Sequence, residues 1–89
     1  MIIREVEVKN RAGLHTRPAS MIVREASKYE SDFYIEKDGY EINGKSIIGV
    51  MTLAAEQGAK LKLKFEGPDE EEAAEAITRL FEEAFGEVS

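Results

Sequence analysis

The segment that most constrains how this chain can fold is Lys60–Glu66, where apolar and charged residues alternate strictly. One side of the extended chain carries the apolar residues and the other the lysines: Leu61, Leu63 and Phe65 against Lys60, Lys62 and Lys64. A period of two predicts a β-strand that buries one face and exposes the other. A sheet built from such strands is mainly antiparallel and has its layer of helices on one side only.

Three further strands are predicted around this one. Ile2 to Val8 is predicted as a strand at the start of the chain, because Val6 and Val8 alternate with Glu5 and Glu7. Asp38-Gly39 is a strong signal for a two-residue hairpin turn, and it lies between Phe33 to Lys37 and Tyr40 to Asn43. These two segments are therefore predicted as a β-hairpin.

Two helices are predicted between the strands. From Thr16 to Lys28 the apolar residues recur at helical spacing, which indicates an amphipathic helix with His15 as its N-cap. Pro18 then falls in the first turn, where its missing N–H has no intrahelical acceptor to lose. A short apolar segment from Ser46 to Ala54 predicts a second helix, for which Ser46 is a good N-cap.

The last helix is predicted from an acidic start. Asp69 and Glu72 are spaced as a capping box, and Gly86 is placed as the C-cap. Its predicted core face consists of Ala73, Ile77, Leu80, Phe81 and Ala84. The predicted order is β-α-β-β-α-β-α, an α+β fold in one domain over residues 1–89.

Composition narrows the class of function. The net charge of −6 argues against nucleic acid as the main partner. No cysteine and only one histidine are present, so neither a metal site nor a cofactor is expected. No apolar run approaches the ~20 residues of a membrane span. We therefore expect a cytoplasmic protein that does not act on membranes.

The single histidine lies in Gly13-Leu14-His15-Thr16-Arg17-Pro18-Ala19, at the predicted start of a helix. A helix start presents unpaired N–H groups and the positive end of the dipole, an environment that suits a phosphate on the ring. Arg17 can bind phosphate oxygens through its planar guanidinium. Together with Arg11 and Arg24 it is expected to form a cationic patch near His15. The alternative is that these arginines are ordinary solvated surface residues, and this alternative is favoured for Arg11.

The short helix is too apolar to bury all its side chains. One arc carries Val50, Leu53 and Ala54, and the neighbouring arc carries Ile47, Ile48 and Met51. A helix of about two turns on a sheet buries only one of these arcs. An exposed apolar patch is typical of a docking surface, and the alternative is that Ile47 and Met51 pack under a loop.

Two motifs resemble one known family. Gly13 to Ala19 is similar to the active-site signature of HPr, the histidine-containing phosphocarrier of the sugar phosphotransferase system. Lys45-Ser46-Ile47-Ile48-Gly49-Val50-Met51-Thr52-Leu53 resembles the second signature of that family. The resemblance covers essentially the whole chain. It implies an open-faced β-sandwich, with a four-stranded antiparallel sheet and three helices on one face.

The resemblance also implies roles for particular residues. His15 would accept a phosphoryl group on Nδ1, and Arg17 would stabilise it. The group would come from phosphoenolpyruvate through Enzyme I and pass to IIA components, so the protein would be a carrier rather than an enzyme. Ser46 matches a regulatory serine that a kinase/phosphorylase modifies in many relatives. Without that kinase, Ser46 is simply a helix cap.

Partner binding is implied for the exposed patch and its surroundings, namely Thr16, Arg24, Ile47, Ile48 and Met51. Besides Enzyme I and IIA components, a carbon-catabolite regulator is a partner in some relatives, and a monomer is expected. The sequence departs from the common family pattern at Ala12, Thr16 and Ile48. The chain also resembles the nitrogen-branch carrier NPr in its acidic Gly67-Pro68-Asp69-Glu70-Glu71-Glu72 segment, so the branch stays open.

Two other classes of protein fit the sequence less well. A purely regulatory paralogue would act through Ser46, but the known paralogue of that type lacks the histidine. An enzyme of the acylphosphatase type would need a different loop and an asparagine on a strand.

Overall fold

The sheet and its helices are seen in a computed structural model, which describes residues 1–87. The strands are β1 (Ile2–Glu7), β2 (Asp32–Lys37), β3 (Tyr40–Asn43) and β4 (Lys60–Glu66). The helices are α1 (Thr16–Ala26), α2 (Ile47–Thr52) and α3 (Glu70–Glu82), and a 3₁₀ turn follows at Ala84–Gly86. The predicted element order is confirmed. Several bounds agree with the prediction and others shift by one or two residues, while α3 ends earlier than predicted.

The strands form one antiparallel sheet in the order β1-β4-β2-β3. The strictly alternating strand β4 therefore lies inside the sheet, hydrogen-bonded on both sides. In its register with β1, Glu5 lies opposite Lys62 and Glu7 opposite Lys60. The predicted α+β open-faced sandwich, with three helices on one face, is confirmed.

The two faces of β4 have opposite environments, as the alternation predicts. Leu61, Leu63 and Phe65 are at most 1% exposed, and Phe65 stacks on Phe33 with ring centroids 4.7 Å apart. Burying each such side chain stabilises the fold by roughly 1.5–3 kcal/mol. On the outer face, hydrogen bonds from Lys64 to two glutamates raise its pKa to about 12.

The N-terminus of α1 begins where the sequence predicts. His15 is the N-cap, and its carbonyl accepts a hydrogen bond from the Ala19 amide at 3.0 Å. The helix ends at Ala26, two residues before the predicted Lys28. Ser27 is the C-cap, and its hydroxyl donates to the Val23 carbonyl at 2.7 Å. Hydroxyl competition of this kind favours termination of a helix.

The predicted capping box at the start of α3 is wrong. Asp69 is the N-cap, but its carboxylate makes no capping hydrogen bond. It accepts instead from the amides of Glu30 at 3.0 Å and Ser31 at 2.9 Å, and from the Ser31 hydroxyl. These hydrogen bonds, the one from the hydroxyl foremost, hold the pKa of Asp69 below its ordinary value of 3.8. Donors from a distant loop therefore outcompete the helix's own first turn.

The end of α3 also differs from the prediction. Glu83, not Gly86, is the C-cap, and Ala84 lies in the 3₁₀ turn instead of the helix. Phe85 adopts a positive φ of 56° and is only 1% exposed, with its ring edge-on to Phe81 at 5.0 Å. Ala84, at a φ of 51°, is left-handed as well, so the turn costs roughly 2–4 kcal/mol in backbone strain. Burial of the phenylalanine ring offsets much of this cost, at roughly 1.5–3 kcal/mol.

Candidate functional site

The loop before α1 is held by close backbone contacts. Gly13 has a φ of 73°, and a Cβ at this position would lie 2.4 Å from the Ala55 carbonyl oxygen. The Leu14 amide donates to that same oxygen at 2.9 Å. The side-chain amide of Asn10, which is fully buried, donates to the Gly13 carbonyl at 2.7 Å. Glycine is required here because both its dihedral angles and the space exclude a side chain.

His15 projects from the end of this loop. Its backbone is extended, with φ −82° and ψ −169°, and its ring makes no capping hydrogen bond to the helix. The side chain is 41% exposed, and its Nε2 lies 2.9 Å from Oε2 of Glu87. The ring is thus accessible to a partner while one of its nitrogens contacts a carboxylate.

The first turn of α1 presents open donors beside this ring. The amides of Thr16 and Arg17 are at positions that have no intrahelical acceptor, and Pro18 contributes no N–H at all. Because the His15 side chain does not cap them, these amides are available to an incoming anion. The positive end of the helix dipole adds to the attraction.

A shallow surface depression adjoins these donors. It is lined by His15, Thr16, Arg17, Ser20, Met21 and Arg24. Arg17 and Arg24 are exposed, and neither forms an ion pair with any residue in the range 1–87. Two unneutralised guanidinium groups therefore border the site. Arg11 is exposed and does not line this depression, as expected of an ordinary surface residue.

Ser46 caps the N-terminus of α2 as predicted. Its Oγ accepts a hydrogen bond from the Gly49 amide at 3.1 Å, and its carbonyl accepts from the Val50 amide at 2.9 Å. The side chain is half-buried, so capping occupies the hydroxyl without removing it from solvent. The geometry is that of an ordinary serine cap.

The exposed apolar arc of α2 is confirmed. Ile47, Ile48 and Met51 are 37%, 72% and 43% exposed, while Val50 and Leu53 are buried. Ala54, predicted on the buried arc, is exposed and has a positive φ of 50°, because the helix has already ended at Thr52. α2 packs beside α1, the helix that begins directly after His15.

Two residues at the site were not predicted from the sequence: Asn10 and Glu87. Glu87 follows His15 by 72 positions, so no local spacing could have indicated that its carboxylate reaches the ring. Asn10 starts a polar loop three residues before a glycine, a pattern typical of a side chain that bonds the loop backbone. The role of Asn10 could therefore have been predicted from this pattern, whereas no sequence pattern indicated Glu87.

Within residues 1–87, no group of three or more histidine, cysteine, aspartate or glutamate side chains is arranged to hold a metal ion. In the same part of the chain, no helix combines the length and the apolar character that a membrane crossing requires.

The protein is a small open-faced sandwich with an exposed histidine at a helix N-terminus. Comparison with known proteins identifies a family with these features. The family model described as PTS HPr component phosphorylation site matches residues 2–83. The chain therefore belongs to the HPr family of phosphocarrier proteins of the phosphotransferase system.

Individual relatives are similar over nearly their full length. The phosphocarrier protein HPr of Treponema pallidum is 48% identical, covering 98% of this chain and 99% of the relative. A crystal structure of HPr from Thermoanaerobacter tengcongensis superposes with a TM-score of 0.96 at 47% identity, covering 100% of both chains. Crh of Bacillus subtilis, described as a catabolite repression protein and a swapped dimer, has a TM-score of 0.76 at 42% identity over 94% of this chain and 97% of its own.

Proposed function

We propose that this phosphocarrier accepts a phosphoryl group on Nδ1 of His15 from Enzyme I and donates it to IIA components. Enzyme I would itself be phosphorylated by phosphoenolpyruvate. The observation that carries the proposal is an accessible imidazole at the N-terminus of α1, bordered by open amides and by Arg17 and Arg24, which form no ion pair within residues 1–87. A carrier of this kind has no turnover of its own and works in the cytoplasm, where its partners are.

The site suits reversible transfer between partners. The Nδ1 lone pair forms a bond to phosphorus while the bond from phosphorus to the donor breaks. The electron pair of the broken bond stays with the donor. The Thr16 and Arg17 amides and the Arg17 guanidinium would bind the phosphate oxygens through charge-assisted hydrogen bonds. Because the ring is exposed, the bound group stays within reach of the next acceptor.

Partner docking is proposed for the surface around the ring. Ile47, Ile48 and Met51 form an exposed apolar surface on α2, and Thr16 and Arg24 contribute polar and cationic groups on the neighbouring helix α1. Such a combination fits a partner with an apolar centre and an acidic rim. Several partners would use the same surface in turn, which favours a monomeric carrier.

Ser46 is proposed as a regulatory site, modified by an HPr kinase/phosphorylase. A phosphoserine at this helix cap would face the positive dipole end, so α2 would stay folded while its surface gained nearly two negative charges. The likeness to Crh favours a second function in which modified Ser46 binds a carbon-catabolite regulator. The proposed acceptors are IIA components for sugar uptake, and the alternative is a carrier for IIA components of the nitrogen branch; purified IIA proteins of both kinds would distinguish the two.

The phosphocarrier proposal is tested by incubating the protein with phosphoenolpyruvate and Enzyme I. We expect one phosphoryl group that is labile in acid and stable in base, detected by intact mass and native electrophoresis. His15→Ala should abolish the group, and Arg17→Ala should slow its formation roughly 10- to 100-fold, the size of one lost charge-assisted contact.

Ser46→Ala is the matched control, since it removes a hydroxyl beside the docking surface and leaves the ring intact. It should accept the group at nearly the wild-type rate. Undiminished labelling of His15→Ala would refute the assignment of the acceptor. Gel filtration with light scattering gives the oligomeric state in the same preparations.

A further inference from the structure

The contact between His15 and Glu87 defines which ring nitrogen can act. Nε2 of His15 lies 2.9 Å from Oε2 of Glu87, and the glutamate side chain is only 16% exposed. An ionised carboxylate accepts hydrogen bonds and cannot donate them, so Nε2 must carry the proton in this pair. In a neutral imidazole the other nitrogen, Nδ1, then has a free lone pair.

The carboxylate is itself held in place from behind. Its second oxygen, Oε1, accepts a hydrogen bond from the Asn10 side-chain amide at 3.1 Å. Asn10 is fully buried, and the same amide nitrogen donates to the Gly13 carbonyl at 2.7 Å. The Asn10 amide therefore joins the loop before His15 to the segment after α3, and it positions Glu87 relative to the ring.

Glu87 reaches the ring because of the turn after α3. Phe85 is buried against Phe81 at a positive φ, and the Glu87 amide donates to the Ala84 carbonyl at 2.9 Å. A straight continuation of α3 could not make these contacts. The turn thus delivers one specific carboxylate to the loop that carries His15.

From this arrangement we propose that Glu87 is a positioning residue for phosphoryl transfer, a role that rests on the proposed function. It holds His15 in the tautomer with the proton on Nε2, so that Nδ1 is ready to attack. When Nδ1 bonds to phosphorus and the donor leaves with its electron pair, the ring becomes a phosphorylated imidazolium. No proton is released, and the positive charge on the ring lies against the Glu87 carboxylate.

The tautomer can be measured without ambiguity because His15 is the only histidine. We would record long-range proton–nitrogen NMR correlations of the ring at alkaline pH, where imidazole is neutral. The wild-type protein should show almost entirely the Nε2-protonated form. Glu87→Ala and Glu87→Gln should show a measurable fraction of the Nδ1-protonated form. Glu82→Gln, the same charge change at an exposed site on α3, should match the wild type.

The second readout is the rate of phosphorylation by Enzyme I. We expect the phosphorylation rate of both Glu87 variants to fall roughly 3- to 10-fold. This is less than the effect of a full charge-assisted hydrogen bond, because the ring is partly exposed to solvent. The loss should appear in kcat with KM unchanged, since Glu87 contacts the ring and not the docking surface. The Glu82→Gln control should keep both constants.

The outcomes separate the two proposals. If the wild-type protein accepts no phosphoryl group, the proposed function fails, while the NMR measurement still reports whether Glu87 sets the tautomer. If phosphorylation proceeds but the ring signals of both Glu87 variants equal those of the wild type, Glu87 has no positioning role. A wild-type ring protonated on Nδ1 would overturn the inference directly. Backbone NMR spectra of the variants establish that they are folded.

Discussion

Replacing Gly13 with alanine should test whether the loop before His15 is held as tightly as its contacts indicate. Gly13→Ala introduces two separate penalties: a side chain at a φ of 73°, and a Cβ 2.4 Å from the Ala55 carbonyl oxygen. Gly39→Ala is a matched control, because Gly39 has a similar φ of 83° but no atom within 4 Å of the new Cβ. The difference between the two variants isolates the steric contact.

The magnitude follows from these two environments. At Gly39 the left-handed conformation costs about 1–2 kcal/mol, partly offset by the ~0.4–1 kcal/mol that alanine removes from the entropy of the unfolded chain. Gly13→Ala shares both effects. It adds the displacement of tightly packed atoms, about 1–3 kcal/mol, and the loss of roughly 1 kcal/mol from the Leu14–Ala55 hydrogen bond. We expect Gly13→Ala to be less stable than Gly39→Ala by about 2–4 kcal/mol.

Urea unfolding followed by circular dichroism measures this difference. With an m-value of roughly 1–3 kcal/mol/M for a small domain, the two midpoints should differ by roughly 0.7–4 M. Phosphorylation by Enzyme I should also slow in folded Gly13→Ala, because His15 follows directly on the displaced loop. Equal midpoints for the two variants would refute the reasoning, since they would show that Ala55 and the loop separate without cost.

Two further predictions concern acid stability and docking. The pKa of Asp69 is lowered in the folded state, so its contribution to the free energy of unfolding is present above pH 3.8 and is lost as the pH falls through the folded pKa. Asp69→Asn should therefore be less stable at neutral pH, and its free energy of unfolding should fall less steeply with pH below 3.8 than that of the wild type. If the free energies of unfolding of the two proteins fall in parallel, the prediction is contradicted. Ile48→Glu should raise KM for Enzyme I about tenfold or more at unchanged kcat. Ile3→Glu, at an exposed isoleucine on β1, should leave KM unchanged, and equal effects of the two would exclude α2 as the docking surface.

Local patterns predicted most of the fold because their physical causes are local. Strict alternation in Lys60–Glu66 allows only one face to be buried, and β4 is found in that state. The hairpin at Asp38-Gly39 depends on two residues with positive φ, which the structure shows at 52° and 83°. The start of α1 was equally readable, since Pro18 is tolerated only within a first turn.

Predictions failed where a distant group competes with a local one. Asp69 has the spacing of a capping box, but the amides of Glu30 and Ser31 bind its carboxylate. Gly86 resembles a C-cap, but the burial of Phe85 ends α3 earlier. In both cases the residue type was suitable for a cap. A capping interaction contributes only about 1 kcal/mol to stability, and the competing tertiary contacts contribute more.

The order of elements, the faces of the strands and the position of His15 and Arg17 at a helix start could all be predicted from the sequence. These follow from periodicity and capping chemistry, which act over a few residues. Only the tertiary structure decided what surrounds the ring. Glu87 reaches His15 from 72 residues away because Phe85 is buried against Phe81, and such a contact exists only once the whole core has formed.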